Sequence, residues 1–268
     1  MPAGVVLTVV GSINLDLVAR VERLPRAGET VAAQAFGRFP GGKGANQAVA
    51  AARLGAVVTM CGAVGRDAFG DDALIGLREA HVDLDVEQFD ATGLALILVD
   101  AAGENQIAVI PGANGLVRPR SVEGAVLCQL EVADDVVLAA ARSASFFALN
   151  AAPARAVDVV PDLLVVNRLE HEVMSRGRLV AVTYGAEGAV LLEHGREIAR
   201  ATPPPVRAVD GTAAGDAFTA CLVVSLLERR GPAEALRRAC AAGALAASRL
   251  GAQTSLPTAD EVDEILRR

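Results

Sequence analysis

The chain has 268 residues, of which 52% are hydrophobic, so it can bury a full core and suits one large domain with a small appendage. Its formal net charge of −7 argues against a nucleic-acid surface, because binding to a phosphate backbone needs a clustered basic face. No apolar run reaches the roughly 18 residues of a membrane span, and the start lacks the basic region of a signal peptide. A cytoplasmic protein without membrane or nucleic-acid partners is expected.

Short β-rich apolar runs alternate with alanine-rich stretches along most of the chain. Taken in chain order, the pattern predicts a strand at 5–10, a helix at 45–54, a strand at 57–61, helices at 69–80 and 134–141, strands at 144–149, 163–166 and 179–183, and helices at 214–229, 233–250 and 259–266. This alternation is typical of an α/β fold with a mostly parallel sheet.

Segments 15–36 and 92–111 interrupt the alternation and read as extended hairpins, with turn-forming residues at 25–28 and 101–104. They predict a small separate sheet. Ligands of open α/β sheets bind beyond the carboxyl ends of the strands, so this sheet would lie over the site as a lid. We therefore expect residues 1–268 to form a single domain with one cleft.

The strongest local motif is the run from Asp210 to Asp216, which leads directly into a predicted helix. Small residues at a helix N terminus present free backbone amides, so Ala213, Ala214 and Gly215 would form an anion hole for a phosphoryl group. Asp216, in the first turn, would lie close enough to take a proton from an acceptor hydroxyl. The same run is also that of an ordinary helix cap, and taken alone it does not separate these two readings.

A second glycine cluster, Gly41-Gly42-Lys43, opens the helix that contains Asn46. Residues 37–43 match the first part of a P-loop, but Gly44 stands where the magnesium-binding Ser or Thr should be. Paired glycines suit close approach of the backbone to a polyhydroxy substrate, with Lys43 and Asn46 as donors.

Lys43 is the only lysine among 25 basic residues. Its survival could reflect biased codon usage, or a requirement for a compact ammonium instead of a planar guanidinium. Asn14 and Asp16 follow the first predicted strand, where an amide and a carboxylate could bracket vicinal hydroxyls. Taken alone, that pair is better explained by a simple polar turn.

Together and in this order, the runs at 11–16, 41–52 and 210–216 resemble the ribokinase family of carbohydrate kinases, and the resemblance extends from Gly11 to Pro257. It implies a doubly wound α/β fold with a β-sheet lid, a homodimer that pairs through its lids, and ATP, Mg²⁺ and a monovalent cation, usually K⁺, as ligands. Asp216 matches the catalytic base, and the sugar-contacting positions are matched by Asn14, Asp16, Gly41, Gly42, Lys43, Asn46 and Glu131.

The resemblance also implies a nucleotide site and a cation site. Asn167 and Glu170 match the positions that order the phosphates and the hydrated magnesium ion. The nucleotide would be lined by Thr183, Gly185, Glu187, Gly188 and Cys240, and the monovalent cation would be held, largely through carbonyl oxygens, by Asp210, Thr212, Ala246, Arg249, Gly251 and Ser255.

The expected reaction is transfer of the γ-phosphate of ATP to a primary hydroxyl of a pentose, with D-ribose as the leading acceptor. The chain departs from the family pattern between Asn167 and Thr183, which is shorter than usual, and at Gly211, where a threonine is common. Two alternatives therefore stay open. The acceptor could be another sugar or a nucleoside, or the chain could be a non-catalytic module that binds sugar or nucleotide.

Overall fold

A computed structural model describes residues 4–267 of the chain. Its strands are, in chain order, β1 (Val6–Val10), β2 (Asn14–Val21), β3 (Ala33–Gly41), β4 (Val57–Gly65), β5 (Asp83–Phe89), β6 (Gly93–Val99), β7 (Asn105–Ile110), β8 (Ala125–Gln129), β9 (Phe146–Asn150), β10 (Leu163–Asn167), β11 (Leu179–Thr183), β12 (Ala189–Glu193) and β13 (Arg196–Ala201). Its α-helices are α1 (Lys43–Arg53), α2 (Gly70–Ala73), α3 (Ile75–Glu79), α4 (Asp134–Ser143), α5 (Arg168–Val173), α6 (Ala214–Leu227), α7 (Pro232–Ala247) and α8 (Ala259–Arg267).

Nine strands form one large sheet in the order β13-β12-β11-β10-β9-β8-β1-β4-β5. The pairs from β11 to β5 are parallel, whereas β12 and β13 extend the sheet in antiparallel fashion. The prediction of an α/β fold with a mostly parallel sheet is confirmed. Strands β4 and β5 lie on one side of β1 and strands β8 to β13 lie on the other, so the order of strand addition reverses between β1 and β8. Open α/β sheets bind their ligands at such switch points.

Helices cover both faces of this sheet, and the strand residues divide between two cores with the period of two expected of a strand. In β10, Leu163 and Val165 pack in the core that also contains α1, α6 and α7, while Leu164 and Val166 pack in the core with α4. The predicted helices at 214–229 and 233–250 correspond to α6 and α7. Helix α6 is apolar on all sides because it lies between α1 and α7.

Four strands form a second, smaller sheet in the order β3-β2-β6-β7, in which β2 and β6 are parallel and the outer pairs antiparallel. Strand β2 begins only four residues after β1 ends, so the small sheet grows directly from the carboxyl edge of the large one. Its register sets Asn14 opposite Gly41 on one side and Gly93 on the other.

The structure differs from the expected elements in two respects. The single helix predicted at 69–80 is broken at Leu74 into α2 and α3, in a segment that carries the poor helix formers Gly70 and Gly76. Helix α5 and strands β5, β8, β12 and β13 were not predicted. Strand β13 is an edge strand with several charged residues, so it lacks the alternation of apolar and polar residues by which a strand is predicted.

All four cysteines, Cys61, Cys128, Cys221 and Cys240, are free and buried. Within residues 4–267, none of the helices combines the length and apolar character needed to cross a membrane.

Candidate active site

Asp216 lies in the first turn of α6 and is only 4% exposed. Each of its carboxylate oxygens accepts a hydrogen bond from helix α1: Oδ2 from Asn46 Nδ2 at 3.0 Å, and Oδ1 from Gln47 Nε2 at 2.9 Å. Burial raises the pKa of Asp216, while the charge of Lys43 and the two amide donors oppose that rise. A buried carboxylate of raised pKa, fixed at both oxygens, has the character of a general base.

Three acidic side chains surround the lone lysine. Burial raises the pKa of Asp16 to about 7, and the charges of Glu131 and Asp216 add to the rise. Burial lowers the pKa of Lys43, but the combined fields of Asp216, Glu131 and Glu170 outweigh this effect and raise its pKa. The structure therefore brings the predicted residues Asp16, Lys43, Glu131 and Asp216 together, although they lie far apart in the sequence.

The paired glycines let the backbone approach the acidic residues closely. A Cβ at Gly41 would lie 2.4 Å from both carboxylate oxygens of Asp16. Gly42 has φ of 87°, and a Cβ there would lie 2.7 Å from the backbone nitrogen of Asn14. Side chains are therefore excluded at both positions, where the backbone between β3 and α1 packs directly against β2.

The predicted anion hole lies at the N terminus of helix α6. Because the helix begins at Ala214, its first amides have no partners within the helix and carry the positive end of its dipole. The amide of Ala214 donates to the carbonyl of Gly211 at 3.2 Å, so this donor is engaged in a turn. Gly215 is exposed, and a Cβ there would meet no atom within 4 Å, which leaves open space in front of the helix N terminus.

Asn167 caps helix α5 and forms a reciprocal capping box with Glu170. The amide of Glu170 donates to Asn167 Oδ1 at 2.9 Å, and the amide of Asn167 donates to Glu170 Oε2 at 2.8 Å. Burial raises the pKa of Glu170, and the Asn167 amide and Lys43 oppose the rise. The electrostatic interaction with Lys43 links this helix end to the acidic cluster.

A cleft of about 240 Å³ opens beside Asn167 and contains Thr183, Gly185 and Glu187. Arg168 spans it, with its guanidinium 4.8 Å from the ring centroid of Tyr184 and 3.0 Å from the carboxylate of Glu187.

Gly188 and Cys240, two further residues predicted to line the nucleotide, both contact the carbonyl of Ala201 at the end of β13. A Cβ at Gly188 would lie 2.1 Å from that carbonyl oxygen, and the Cys240 Sγ lies 3.7 Å from it. Burial raises the pKa of the Cys240 thiol to about 11, so this cysteine stays a neutral thiol at physiological pH. It contributes a small apolar surface and no charge.

Two loops meet where the monovalent cation site was predicted. The carboxylate of Asp210 accepts from the amides of Thr212 at 3.0 Å and Gly251 at 2.9 Å. Burial favours the neutral acid, but these bonds and the Thr212 hydroxyl outweigh it and hold the pKa of Asp210 below its ordinary value. The carbonyl of Ala246 accepts from the amide of Arg249 at 3.1 Å.

Ser255 completes the predicted cation set in the 3-10 turn Gln253–Ser255, where its buried hydroxyl donates to the carbonyl of Ala252 at 2.7 Å. The side chain of Arg249 is turned away to Glu261, with which it forms an ion pair, so only its backbone carbonyl is available as a ligand. Oxygen donors of this kind suit a hard cation.

Comparisons with known proteins identify the family. A family model described as pfkB family carbohydrate kinase matches residues 6–163 and 160–259. The chain belongs to the pfkB family. Ribokinase from Lactococcus lactis is 36% identical over 296 residues, which cover 97% of this chain and 97% of that protein.

Two solved structures place this pfkB kinase among the ribokinase folds. Ribokinase from Thermotoga maritima has a TM-score of 0.89 at 29% identity and covers 98% of this chain and 100% of its own. Ribokinase from Arabidopsis thaliana, solved with ribose and ATP, has a TM-score of 0.86 at 28% identity over 99% of both chains. The predicted ribokinase-like fold and the prediction of a sugar kinase are confirmed.

Four buried polar residues of this pfkB kinase escaped the sequence analysis. Asn114 donates to Asn14 Oδ1 at 2.7 Å and accepts from the amide of Ile13 at 2.8 Å. The Ser12 hydroxyl donates to Glu131, and the side chains of Gln47 and Gln129 form a hydrogen-bonded pair. Ser12 and Gln47 lie within the runs 11–16 and 41–52, but neither was assigned a role from the sequence.

Proposed function

We propose that this pfkB kinase transfers the γ-phosphoryl group of ATP to the primary hydroxyl O5 of D-ribose and releases ribose 5-phosphate and ADP. The observation that carries the proposal is the position of Asp216. Its carboxylate lies at the N terminus of α6, is held by Asn46 and Gln47 from α1, and interacts electrostatically with Lys43. In the proposal, ATP reaches this carboxylate from the side of Asn167 and the sugar from the side of Asp16 and Lys43.

In the proposed reaction Asp216 accepts the proton of the ribose 5-hydroxyl, and O5 attacks the γ-phosphorus. The bond between that phosphorus and the bridging oxygen of ADP breaks, and the amides at the start of α6 stabilise the negative charge that develops. Lys43, held charged by the surrounding carboxylates, lies in the same field and adds to this stabilisation.

The polar side chains near Asp216 support a sugar as the acceptor. Asn46 Oδ1 is buried and has no hydrogen-bond partner among the described residues, and a sugar hydroxyl can donate to it. Asp16 and Glu131 offer further acceptors, and Asn14 is fixed by Asn114. A sugar would thus satisfy a buried acceptor that costs free energy when left unpaired.

The site residues fit the two metal ions that we infer. Magnesium usually binds through one or two carboxylates plus substrate phosphates, and the capping box orients Glu170 for that role. When bound, Mg²⁺ would neutralise charge on the polyphosphate. K⁺ would be held by the oxygens of the loop that contains Asp210 and of the segment after α7, which the bond between Asp210 and Gly251 already brings together.

We infer that the four-stranded sheet acts as a lid that excludes water, and that two copies pair through their lids. The support is the number of large apolar side chains that this sheet exposes, among them Phe36 at 66%, Ile107 at 55% and Val109 at 56%. Sedimentation velocity tests the pairing: the wild type should sediment as a dimer, and Ile107→Lys combined with Val109→Lys as a monomer. A wild type that sediments as a monomer would refute it.

An ADP-release assay with Mg²⁺ and K⁺ over D-ribose, fructose and adenosine tests the function. We expect D-ribose to give the highest kcat/KM, because aromatic residues that could stack on a nucleoside base make up only 3% of the chain. A higher kcat/KM with fructose or adenosine would assign that compound, and not D-ribose, as the acceptor. Calorimetric binding of ribose without ADP release would favour the non-catalytic alternative.

Gly41→Ala is expected to raise the KM for ribose by about 10- to 100-fold, because its Cβ would overlap both oxygens of Asp16 and displace that carboxylate. Steady-state kinetics with ribose varied at saturating ATP measure the effect. Gly115→Ala is the matched control, since a Cβ at Gly115 meets only Pro111 at 3.8 Å. An unchanged KM in Gly41→Ala would argue against Asp16 as a sugar contact.

Asn167→Ala removes the cap of α5 and frees Glu170. We expect a loss of about 1 kcal/mol in the free energy of unfolding and a KM for ATP several-fold higher, with the KM for ribose unchanged. Urea unfolding and kinetics with each substrate varied separate the two effects. Equal rises in both KM values would show that Asn167 serves the fold in general and not the nucleotide side.

A further inference from the structure

Gln47 is a fully buried amide on α1, one helical turn beyond Lys43. A buried amide destabilises the fold unless its donors and acceptor are satisfied. Gln47 is not among the residues that the family resemblance places on the sugar or the nucleotide. Within the described chain, its polar contacts are all with other buried side chains, and these contacts determine the orientation of its amide group.

Both hydrogens of the Gln47 amide group are used. Nε2 donates to Asp216 Oδ1 at 2.9 Å and to Asn150 Oδ1 at 3.0 Å, and Asn150 is itself fixed by donating to the carbonyl of Val165 at 3.2 Å. On the other side, Gln47 Oε1 accepts from Gln129 Nε2 at 2.7 Å. The side chain is thus held at three points that come from three different elements.

These contacts have only one consistent direction. An ionised carboxylate only accepts hydrogen bonds, so the NH₂ group of Gln47 must face Asp216, and its oxygen must then face the NH₂ group of Gln129. Gln129 Oε1 is then buried without a partner among the described residues. It lies so close to Gly11 that a Cβ built there would be 1.9 Å from it. The pair keeps this direction although it leaves one acceptor unsatisfied.

We propose that Gln47 is a positioning residue for phosphoryl transfer, which holds Asp216 in its reactive orientation, and that Gln129 sets the direction of the Gln47 amide. The inference rests on the proposed role of Asp216 as the base. Asn46 holds the other carboxylate oxygen but is also assigned to the sugar, so Gln47 is the donor that stays on Asp216 throughout the reaction. The hydrogen bond also favours the ionised form that accepts the proton.

Gln47→Leu keeps the volume and removes the donor. We expect kcat to fall by about 10- to 100-fold, with the KM for ribose within two-fold of the wild type. Because the ionised carboxylate loses a donor, the acid limb of the kcat profile should move to higher pH, and part of the lost rate should return as the pH is raised. A variant that is only misfolded would not recover in this way.

Gln129→Glu tests the direction of the pair without touching Asp216. A carboxylate at position 129 only accepts, so it would draw the Gln47 NH₂ group towards itself and turn the Gln47 oxygen towards Asp216. The acid limb should move in the same direction as in Gln47→Leu. Thr219→Val is the matched control, since Thr219 is fully buried on α6, one turn after Asp216, and its hydroxyl has no partner in the described chain.

A second measurement does not depend on which sugar is phosphorylated. The free energy of unfolding is measured against pH for the wild type and for Asp216→Asn. The difference between the two curves reports the ionisation of Asp216 in the folded state. In the Gln47→Leu background this titration should move to higher pH. If ribose fails as a substrate but the titration moves, the proposed function fails and the role of Gln47 holds. If neither the titration nor the acid limb moves in Gln47→Leu, the role of Gln47 is refuted.

Discussion

Asp216→Asn is expected to lower kcat by about 10²- to 10⁴-fold, the range that a positioned general base contributes. The KM for ribose should change much less, because Asp16, Glu131 and Lys43 stay in place. An asparagine at 216 also presents an NH₂ group to the amide donors of Asn46 and Gln47, so one donor loses its acceptor. Initial rates at saturating ATP and ribose measure the loss.

Stability separates this loss from misfolding. The carboxylate of Asp216 is buried and its pKa is raised, so the wild type loses stability as the pH rises from the ordinary carboxyl pKa towards the raised one. The neutral variant does not undergo this loss, so any destabilisation caused by its unpaired donor should shrink as the pH rises. Asp135→Asn is the matched control, since Asp135 lies in the first turn of α4 but is exposed. A kcat within three-fold of the wild type in Asp216→Asn would remove Asp216 as the base.

The candidate site could be predicted from the sequence wherever its residues belong to short local motifs. Lys43 and Asn46 share one turn of α1, and Asp216 follows its glycine-rich loop directly, so pattern and spacing point to them. Asn114 and Gln129 could not be found this way. Their partners lie 101 and 82 residues away in the chain, and a single buried amide carries no periodic signal.

The same limit applies to the fold. Strands β1, β4, β9, β10 and β11 were predicted because parallel strands covered on both faces are continuous apolar runs. Edge strand β13 carries three charged residues in six, and Gly76 in α3 packs where a Cβ would lie 1.8 Å from the side-chain oxygen of Gln253. Such tertiary contacts are invisible to local patterns.

Asp16→Asn is expected to weaken ribose binding and to stabilise the free protein. Burial raises the pKa of Asp16 from 3.8 to about 7, so the wild type favours the neutral acid when folded and the carboxylate when unfolded over this range. The stability that this group contributes is fully present below pH 3.8 and is lost as the pH rises to 7. The neutral amide of the variant avoids that loss.

The free energy of unfolding of Asp16→Asn should therefore exceed that of the wild type. The difference should grow above about pH 4 and become constant above about pH 7, with an upper limit of roughly 4 kcal/mol. Urea unfolding at pH 4, 6 and 8 measures it. Asp90→Asn, at an exposed position after β5, should change stability by less than about 0.5 kcal/mol throughout. A gap that stays constant from pH 4 to 8 would contradict the raised pKa.

The opposite effect on binding follows from the same carboxylate. An ionised acceptor forms stronger hydrogen bonds with sugar hydroxyls than a neutral amide, so the KM for ribose should rise about 100-fold in Asp16→Asn. In the wild type the KM should fall as the pH rises through 7, and in the variant this dependence should vanish. On the proposed role, free energy that the empty site loses by holding a buried charge would be recovered when the sugar donates to it, so Asp16 would favour binding at the expense of stability. A variant that gains stability and keeps its ribose affinity would show that Asp16 does not contact the sugar.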